Sequence, residues 1–420
     1  MDKDKWKKTF SGLIEKLAFL KPWETEDEDG LEIQEMDLSE KKKTLTAEER
    51  MRRKGYAIVG AIVLVLLVAG SFFYYNSHHL FTEYVITDTT ENMDIVGTQY
   101  TVLGENILKY SPDGVFCVNR HDEMKWSVAY SMQTPITDIC EGSMVIAEQQ
   151  GNQVYVLNQD GAIGHFETTL PIMKAQISEQ GVVVLLLSDK DVTWIELYDA
   201  SGSELVKVKT TVDDSGYPLD VAISKDASHM MVSYLGIYQG TLGSKIAFYD
   251  FSSVEAVDTS HLTGTLEYPG RIFPEIYYAD DTTPVAQSDV GFVVFEEGDV
   301  PVEKEQITLE REIISSFHDD KYIGFVFSND ETTERYQMEL YRYNGRRAMQ
   351  ETLDCDYTEI MMDSGEILLY DEKNCTVYST SGVKRFSSDY EKQINYFMAI
   401  PGFRKYLVIT DDSMDTIRIS

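Results

Sequence analysis

Gly181–Leu187 (GVVVLLL), the acidic turn Asp189-Lys190-Asp191, Thr193–Tyr198 (TWIELY) and the turn Asp199–Gly202 form one unit of a pattern that fills most of this 420-residue chain. Short runs rich in β-branched and aromatic residues, bounded by Asp, Asn, Gly and Ser, read as strands and tight turns. The layout repeats in Tyr322–Phe327 (YIGFVF), Ser328–Thr333 and Tyr336–Tyr343 (YQMELYRY), followed by Asn344-Gly345. It returns in Glu366–Tyr370, Asp371–Asn374, Thr376–Ser379 and Ser381-Gly382. Dipeptides such as Asn-Gly accept positive φ and so suit hairpins. Units fall near 102–133, 136–171, 174–213, 217–262, 271–309, 312–353 and 356–389, with a partial unit at 394–420. A period of about 35–45 residues is that of four-stranded propeller blades. The spacing predicts an all-β domain over 94–420, a β-propeller of seven or eight blades, with eight favoured. Asp94–Val102 is expected to complete the partial unit and join the two ends, which removes exposed sheet edges. Two stacked β-sandwiches are the rival fold, and the even spacing disfavours them.

Before this domain stand Gly55–Tyr75 (GYAIVGAIVLVLLVAGSFFYY), without a charge. As a helix this run spans roughly 30 Å, the thickness of a bilayer's hydrocarbon core. Tyr56 and Phe72–Tyr75 place aromatic rings at both ends, as at membrane interfaces. Lys41, Lys42, Lys43, Arg50, Arg52, Arg53 and Lys54 precede it, whereas no Lys or Arg follows until Lys109. Positive charge stays inside. The expectation is one transmembrane helix over 55–75, a cytoplasmic tail over 1–54, a linker over 76–93 and an extracytoplasmic domain beyond. A cleaved signal peptide fits less well, because the leader is long and the run ends in Phe and Tyr rather than small residues.

In the tail, Trp6, Phe10, Leu13, Ile14 and Leu17 make one helical stripe within 2–20, surrounded by Lys3, Lys5, Lys7, Lys8 and Lys16. Such a helix suits the inner leaflet or a cytosolic partner. Residues 24–40 read as an acidic, disordered linker, and 41–54 as a basic juxtamembrane segment. The tail is nearly neutral, with 13 Lys/Arg against 14 Asp/Glu. Of the chain's 37 and 71, that leaves 24 and 57 for the remainder. So acidic a domain repels nucleic acid and anionic lipid.

Two units carry more specific wording. Gly114–Asn119 (GVFCVN) with Lys125-Trp126 resembles the quinoprotein-type blade, in which a strand precedes a docking Trp. Val221–Leu235 (VAISKDASHMMVSYL) resembles the strand-turn-strand of TolB-like and WD-repeat (WD40-like) propellers. With only four Trp in the chain, no quinone cofactor is implied. The full layout adds Ile107–Trp126, Gly216–Ser224 (GYPLDVAIS), Ile246–Phe251 (IAFYDF), Ile313–Phe325 and Gly382–Phe386 (GVKRF). Together these resemble an uncharacterised family, a domain of unknown function, of single-pass membrane-anchored propeller-like proteins from Gram-positive bacteria. The resemblance implies fold and topology, and no activity.

Recognisable chemistry is sparse. Seven His are scattered without metal-ligand spacing, and His78-His79 reads as a wet turn. No nucleophile elbow or phosphate loop occurs. The acidic turns Asp280-Asp281, Asn329-Asp330-Glu331 and Asp411-Asp412 read as solvated tips rather than Ca²⁺ loops. Cys117, Cys140, Cys355 and Cys375 allow three disulfide pairings; buried free thiols are the alternative. No catalytic, cofactor-binding or metal-binding residue is assigned. The reading is a binding or scaffold module for a protein, peptide or cell-wall glycan, recognised by an exposed aromatic or apolar patch on one face. One rival is a hydrolase or lyase, marked by titratable groups converging on the channel. Another is a single-span signalling protein that couples outer binding to the inner amphipathic helix.

Overall fold

The computed structural model describes residues 47–420 apart from 96, 191, 253–260, 297, 299 and 330–334; the side chains of 47–55, 57, 72, 73, 76, 77 and 214 are not described either. The expected helix 2–20, the linker 24–40 and the start of the segment 41–54 lie outside the described residues. The chain divides into two units at Gly70/Ser71. A helix, Ala47–His78, supplies the described part of the first and opens the second. Its apolar side chains from Ile58 to Val68 are exposed, Leu66 at 65%. Among the described side chains, which run unbroken in this helix only from Ile58 to Ser71, no stretch is long and apolar enough to cross a membrane. The expected span over 55–75 extends past that stretch on both sides.

The second unit is an eight-bladed β-propeller, eight antiparallel sheets of four strands each. Seven blades are continuous in sequence, at 99–129, 135–167, 172–211, 217–269, 275–308, 313–353 and 359–389. They are called blades 1 to 7 here, and they follow the expected units closely. Blade 8 takes Ile394–Ala399, Lys405–Thr410 and Ser413–Ile419 from the C-terminal end. Its fourth, outermost strand is Tyr84–Glu91, paired from Tyr84↔Ile419 to Glu91↔Ser413.

This corrects the expected closure. The joining strand lies inside the 76–93 stretch read as linker, and Gln99–Leu103 is instead the innermost strand of blade 1. The physical reason is position: Tyr84–Glu91 (YVITDTTE) is an outermost strand, exposed on both faces, so it carries no apolar alternation to read.

Eight hydrophobic clusters fill the eight gaps between neighbouring blades. Middle strands are therefore buried on both faces. Val183–Asp189 packs Val184 and Leu186 toward blade 4, and Val183, Leu185 and Leu187 toward blade 2. That double burial is why the run is continuously apolar rather than alternating. Each such side chain contributes roughly 1.5–3 kcal/mol by leaving water.

Two devices hold the ring shut. Phe81, 5% exposed, sits among Leu368, Phe386 and Tyr406. Its N–H donates to the Arg385 carbonyl at 2.9 Å, and its carbonyl accepts from the Ser387 N–H at 3.1 Å. Beyond the closing strand, Asn92 donates through Nδ2 to the Thr410 carbonyl of blade 8 at 2.9 Å and accepts from Lys109 Nζ of blade 1 at 2.9 Å. The buried Lys109 ammonium also meets Asp94 at 2.8 Å and Asp122 at 2.7 Å. A buried charge is tolerable only with such partners.

Candidate recognition face and channel wall

Blade 4 departs from its neighbours in the length of its middle strands, His229–Tyr238 and Thr241–Asp250, ten residues each. The innermost strand begins at Tyr217, opposite Leu235, and the outermost ends at Pro269, opposite Gly243. The tip of the hairpin therefore projects beyond the rest of the sheet. Ile237 lies opposite Leu242 and Tyr217 opposite Leu235, which puts these four side chains on one face. Ile237, Leu242 and Tyr217 are 75%, 52% and 46% exposed. Lower on the same face, Met231, Ile246 and Phe248 form the core against blade 5. The shelf is thus the core's apolar face carried past the edge of the blade.

The opposite face props it. The Tyr238 hydroxyl donates to the Ser215 carbonyl at 3.0 Å. Gly216 has φ +93°, and a Cβ there would lie 2.8 Å from the Tyr238 hydroxyl and 2.6 Å from the Leu235 carbonyl oxygen. Only glycine lets the chain cross under the hairpin. No acidic residue occurs between Asp226 and Asp250, in a domain otherwise dense in acid. An exposed, apolar, charge-poor surface with a tyrosine has the composition of a protein-binding core.

The innermost strands of three blades each carry a carboxylate near a blade boundary. Asp138 of blade 2, Asp220 of blade 4 and Asp363 of blade 7 each accept a backbone N–H from the next blade's innermost strand. The donors are Ile177 at 2.8 Å, Ile276 at 3.0 Å and Ala399 at 2.7 Å. Lys174 of blade 3 adds an ion pair to Asp220 at 2.8 Å. Bulges just before Lys174 and Asp220 turn them to meet. Burial pushes the Asp138 carboxyl up to about 6, helped by the neighbouring Asp220, against the N–H donors that lower it. Asp220 and Asp363 are raised for the same first reason. Perturbed acids on innermost strands fit the enzyme reading, but a contact repeated at three places around a ring is a blade-to-blade pin. At Asp220 both carboxylate oxygens are engaged in this way, one by Ile276 and one by Lys174; at Asp138 and Asp363 one oxygen makes the pin.

A polar cavity of about 280 Å³ opens at the other end of blades 4 and 5, lined by His229, Asp250, Thr282, Thr283, Glu296 and Lys304 among others. His229 Nδ1 shares a hydrogen bond with the Ser228 hydroxyl at 2.7 Å. The volume is at the small end for a ligand site, and its mixed charges select no single chemistry.

The residues singled out in the sequence fall elsewhere. Trp126 docks as its motif implies, donating from Nε1 to the Gln159 carbonyl of blade 2 at 2.9 Å. Ser224 and Asp226 build the turn assigned to them, Oγ to Oδ1 at 2.7 Å. His78 and His79 stack on Tyr74 and Tyr75. Among the described residues, no group of three His, Cys, Asp or Glu is placed to hold a metal. Asp280 accepts from Thr282 N–H, Asp281 from Asp226 N–H and Asp411 from Asn395 Nδ2; Asp330 and Glu331 lie outside the described residues. All four cysteines are free, and burial raises the Cys140 and Cys375 thiols to about 12, which suppresses thiolate chemistry. The Glu-Leu-Tyr shared by TWIELY and YQMELY is structural. Glu196 and Glu339, both buried, accept from Tyr198 and Tyr341 and pair with Lys207 and with Arg311 and Arg347.

Sequence reasoning missed both the shelf and the pins. For the pins there was a signal, an aspartate inside an otherwise apolar strand, as in PITDIC and YPLDVAI.

The profile of a family described only as of unknown function, DUF5711, matches residues 76–419. No curated protein matches the sequence. Among solved structures, the chain is similar to BamB from Moraxella catarrhalis at 11% identity and a TM-score of 0.46, over 80% of this chain and 100% of that one. It is similar to a eukaryotic initiation factor at 10% and 0.49, over 77% and 85%. A third similar structure is the Pan2 WD40 domain of Neurospora crassa, at 10% and 0.40, over 68% and 87%. Likeness at this level says nothing of ligands.

Proposed function

Because the chain belongs to DUF5711, a family of unknown function whose membership assigns no activity, we propose from its own geometry that it is a membrane-anchored binding module for a protein partner. The observation that carries this is the apolar shelf of Tyr217, Leu235, Ile237 and Leu242, projected by a blade 4 hairpin that carries no acid between Asp226 and Asp250. Leaving Ile237 and Leu242 in water has a standing hydrophobic cost that a partner's apolar surface would remove. The anchor is the charge-free run over 55–75, and the excess of Lys and Arg before it sets the N-terminal tail inside and the propeller outside. The exposed apolar side chains of Ile58–Val68 support that reading.

The test is crosslinking on intact cells with the full chain and its Ile237→Asp and Leu242→Asp variants. A crosslinked protein lost in both variants, with unfolding midpoints unchanged, is the expected result. Capture that survives both substitutions would sink the shelf as the recognition surface.

A further inference from the structure

One end of blade 8 reverses the sign of the domain around it. No acidic residue lies between Glu391 and Asp411. Within that stretch, the turn before the strand Lys405–Thr410 presents Phe403, 56% exposed, then Arg404 and Lys405. Across the blade Lys405 lies opposite Arg418, and Arg418 opposite Val85, so the three side chains stand in one row. Arg418 and Val85 are exposed. On the other side of the turn, the Arg404 guanidinium lies 3.8 Å from the centre of the Phe81 ring and 4.8 Å from that of Phe403. His79 meets Phe81 edge-on at 4.7 Å, and Leu80 between them is exposed. Acidic groups nearby are Glu83, beside Tyr84 in sequence, and Glu366, which is held by Arg385 and the Tyr406 hydroxyl. The surface next to the helix end is thus aromatic, aliphatic and basic, the chemistry of a bilayer interface.

We infer that this end of blade 8 rests on the bilayer, with Phe403 and Leu80 among the headgroups and Lys405 and Arg418 against the phosphates of anionic lipid. The inference rests on the proposed membrane span. It revises the expectation that so acidic a domain repels such lipid. At physiological ionic strength fields decay over about 8 Å, so the local sign decides, not the net charge. Only His79 and Leu80 separate the helix from the docked Phe81. So short a tether holds the patch at high effective concentration near the surface, and weak contacts then suffice.

The experiment uses the full chain with Phe403→Trp or Val290→Trp, in vesicles of brominated phosphatidylcholine with and without phosphatidylglycerol. Val290 lies in a turn at the opposite end of its blade. The inference requires quenching of the added emission for Phe403→Trp and none for Val290→Trp. Adding Lys405→Glu and Arg418→Glu should abolish the quenching with the thermal midpoint unchanged, since each basic residue near an anionic surface is worth about fivefold in partitioning. Vesicle-inserted chain with unquenched Phe403→Trp overturns the contact and leaves the span standing. Chain that does not float with vesicles overturns the span, and this contact with it.

Discussion

Lys109→Met isolates the charge at the ring closure while keeping the length of the side chain. The ammonium is 4% exposed and touches three oxygens, on Asn92, Asp94 and Asp122, at 2.7–2.9 Å. Removing one partner of a buried ion pair costs about 3–5 kcal/mol, because it strands the other. Asp94 and Asp122 are 20% and 23% exposed, so water reaches both once the lysine is gone, and the expected loss sits near about 3 kcal/mol. Urea unfolding of the full chain, followed by Trp126 and Trp194 emission, measures it. Hydrogen exchange should locate it, with the amides of Tyr84–Glu91 losing protection before those of blades 3 to 5. Adding Asp94→Asn and Asp122→Asn should restore part of the stability, because no uncompensated carboxylate then remains. A Lys109→Met chain within about 0.5 kcal/mol of the parent, the range of ordinary surface changes, would refute the idea that this ion cluster locks the ring.

Phe81→Ala empties a buried site between blades 7 and 8 and should cost about 3 kcal/mol, read as a lower urea midpoint and faster proteolysis of the segment before Tyr84. Gly164→Ala places a Cβ 1.6 Å from the Ala200 carbonyl oxygen, so blades 2 and 3 must separate there; a loss of about 1–3 kcal/mol is expected, and an unchanged midpoint would contradict the packing. Asp138 titrates higher folded than unfolded, so the native state holds the extra proton and stability falls as pH rises from about 4 through about 6. Asp138→Asn should flatten that fall and match or exceed the parent at pH 7, whereas an unaltered pH slope would show that the carboxyl is not raised. Asp363→Ala leaves the Ala399 N–H without its acceptor and should cost about 1–3 kcal/mol, checked by the same unfolding series.

Blade number and boundaries were legible because turns punctuate every blade and middle strands are mostly apolar, with isolated buried charges such as Lys109, Glu196 and Glu339. The strand Glu366–Tyr370 between Asp363 and Asp371 shows both signals in a few residues. The closing strand was not legible, since Tyr84–Glu91 buries neither face fully and reads like any polar connector. The shelf was hidden for the opposite reason. Ile237 and Leu242 continue runs whose other members are core, and an apolar residue in a strand does not reveal whether a neighbouring blade reaches far enough to cover it. The carboxylate pins depend on register between separate blades. Asp220 meets Ile276 only because the two innermost strands stand side by side.

The origin of the outermost strand of blade 8 also sets a clock. Tyr84–Glu91 is synthesised before any other strand of the ring, and its partner Ser413–Ile419 comes last. At ordinary synthesis rates the gap is on the order of tens of seconds. Through that interval the first blade has no neighbour on one side, and its surface at Ile107 and Val118, destined for the gap against blade 8, stands open. The nascent chain must be shielded for that time, so ribosome pausing or loss of a holding chaperone should harm this protein in proportion to the delay before its final strand appears.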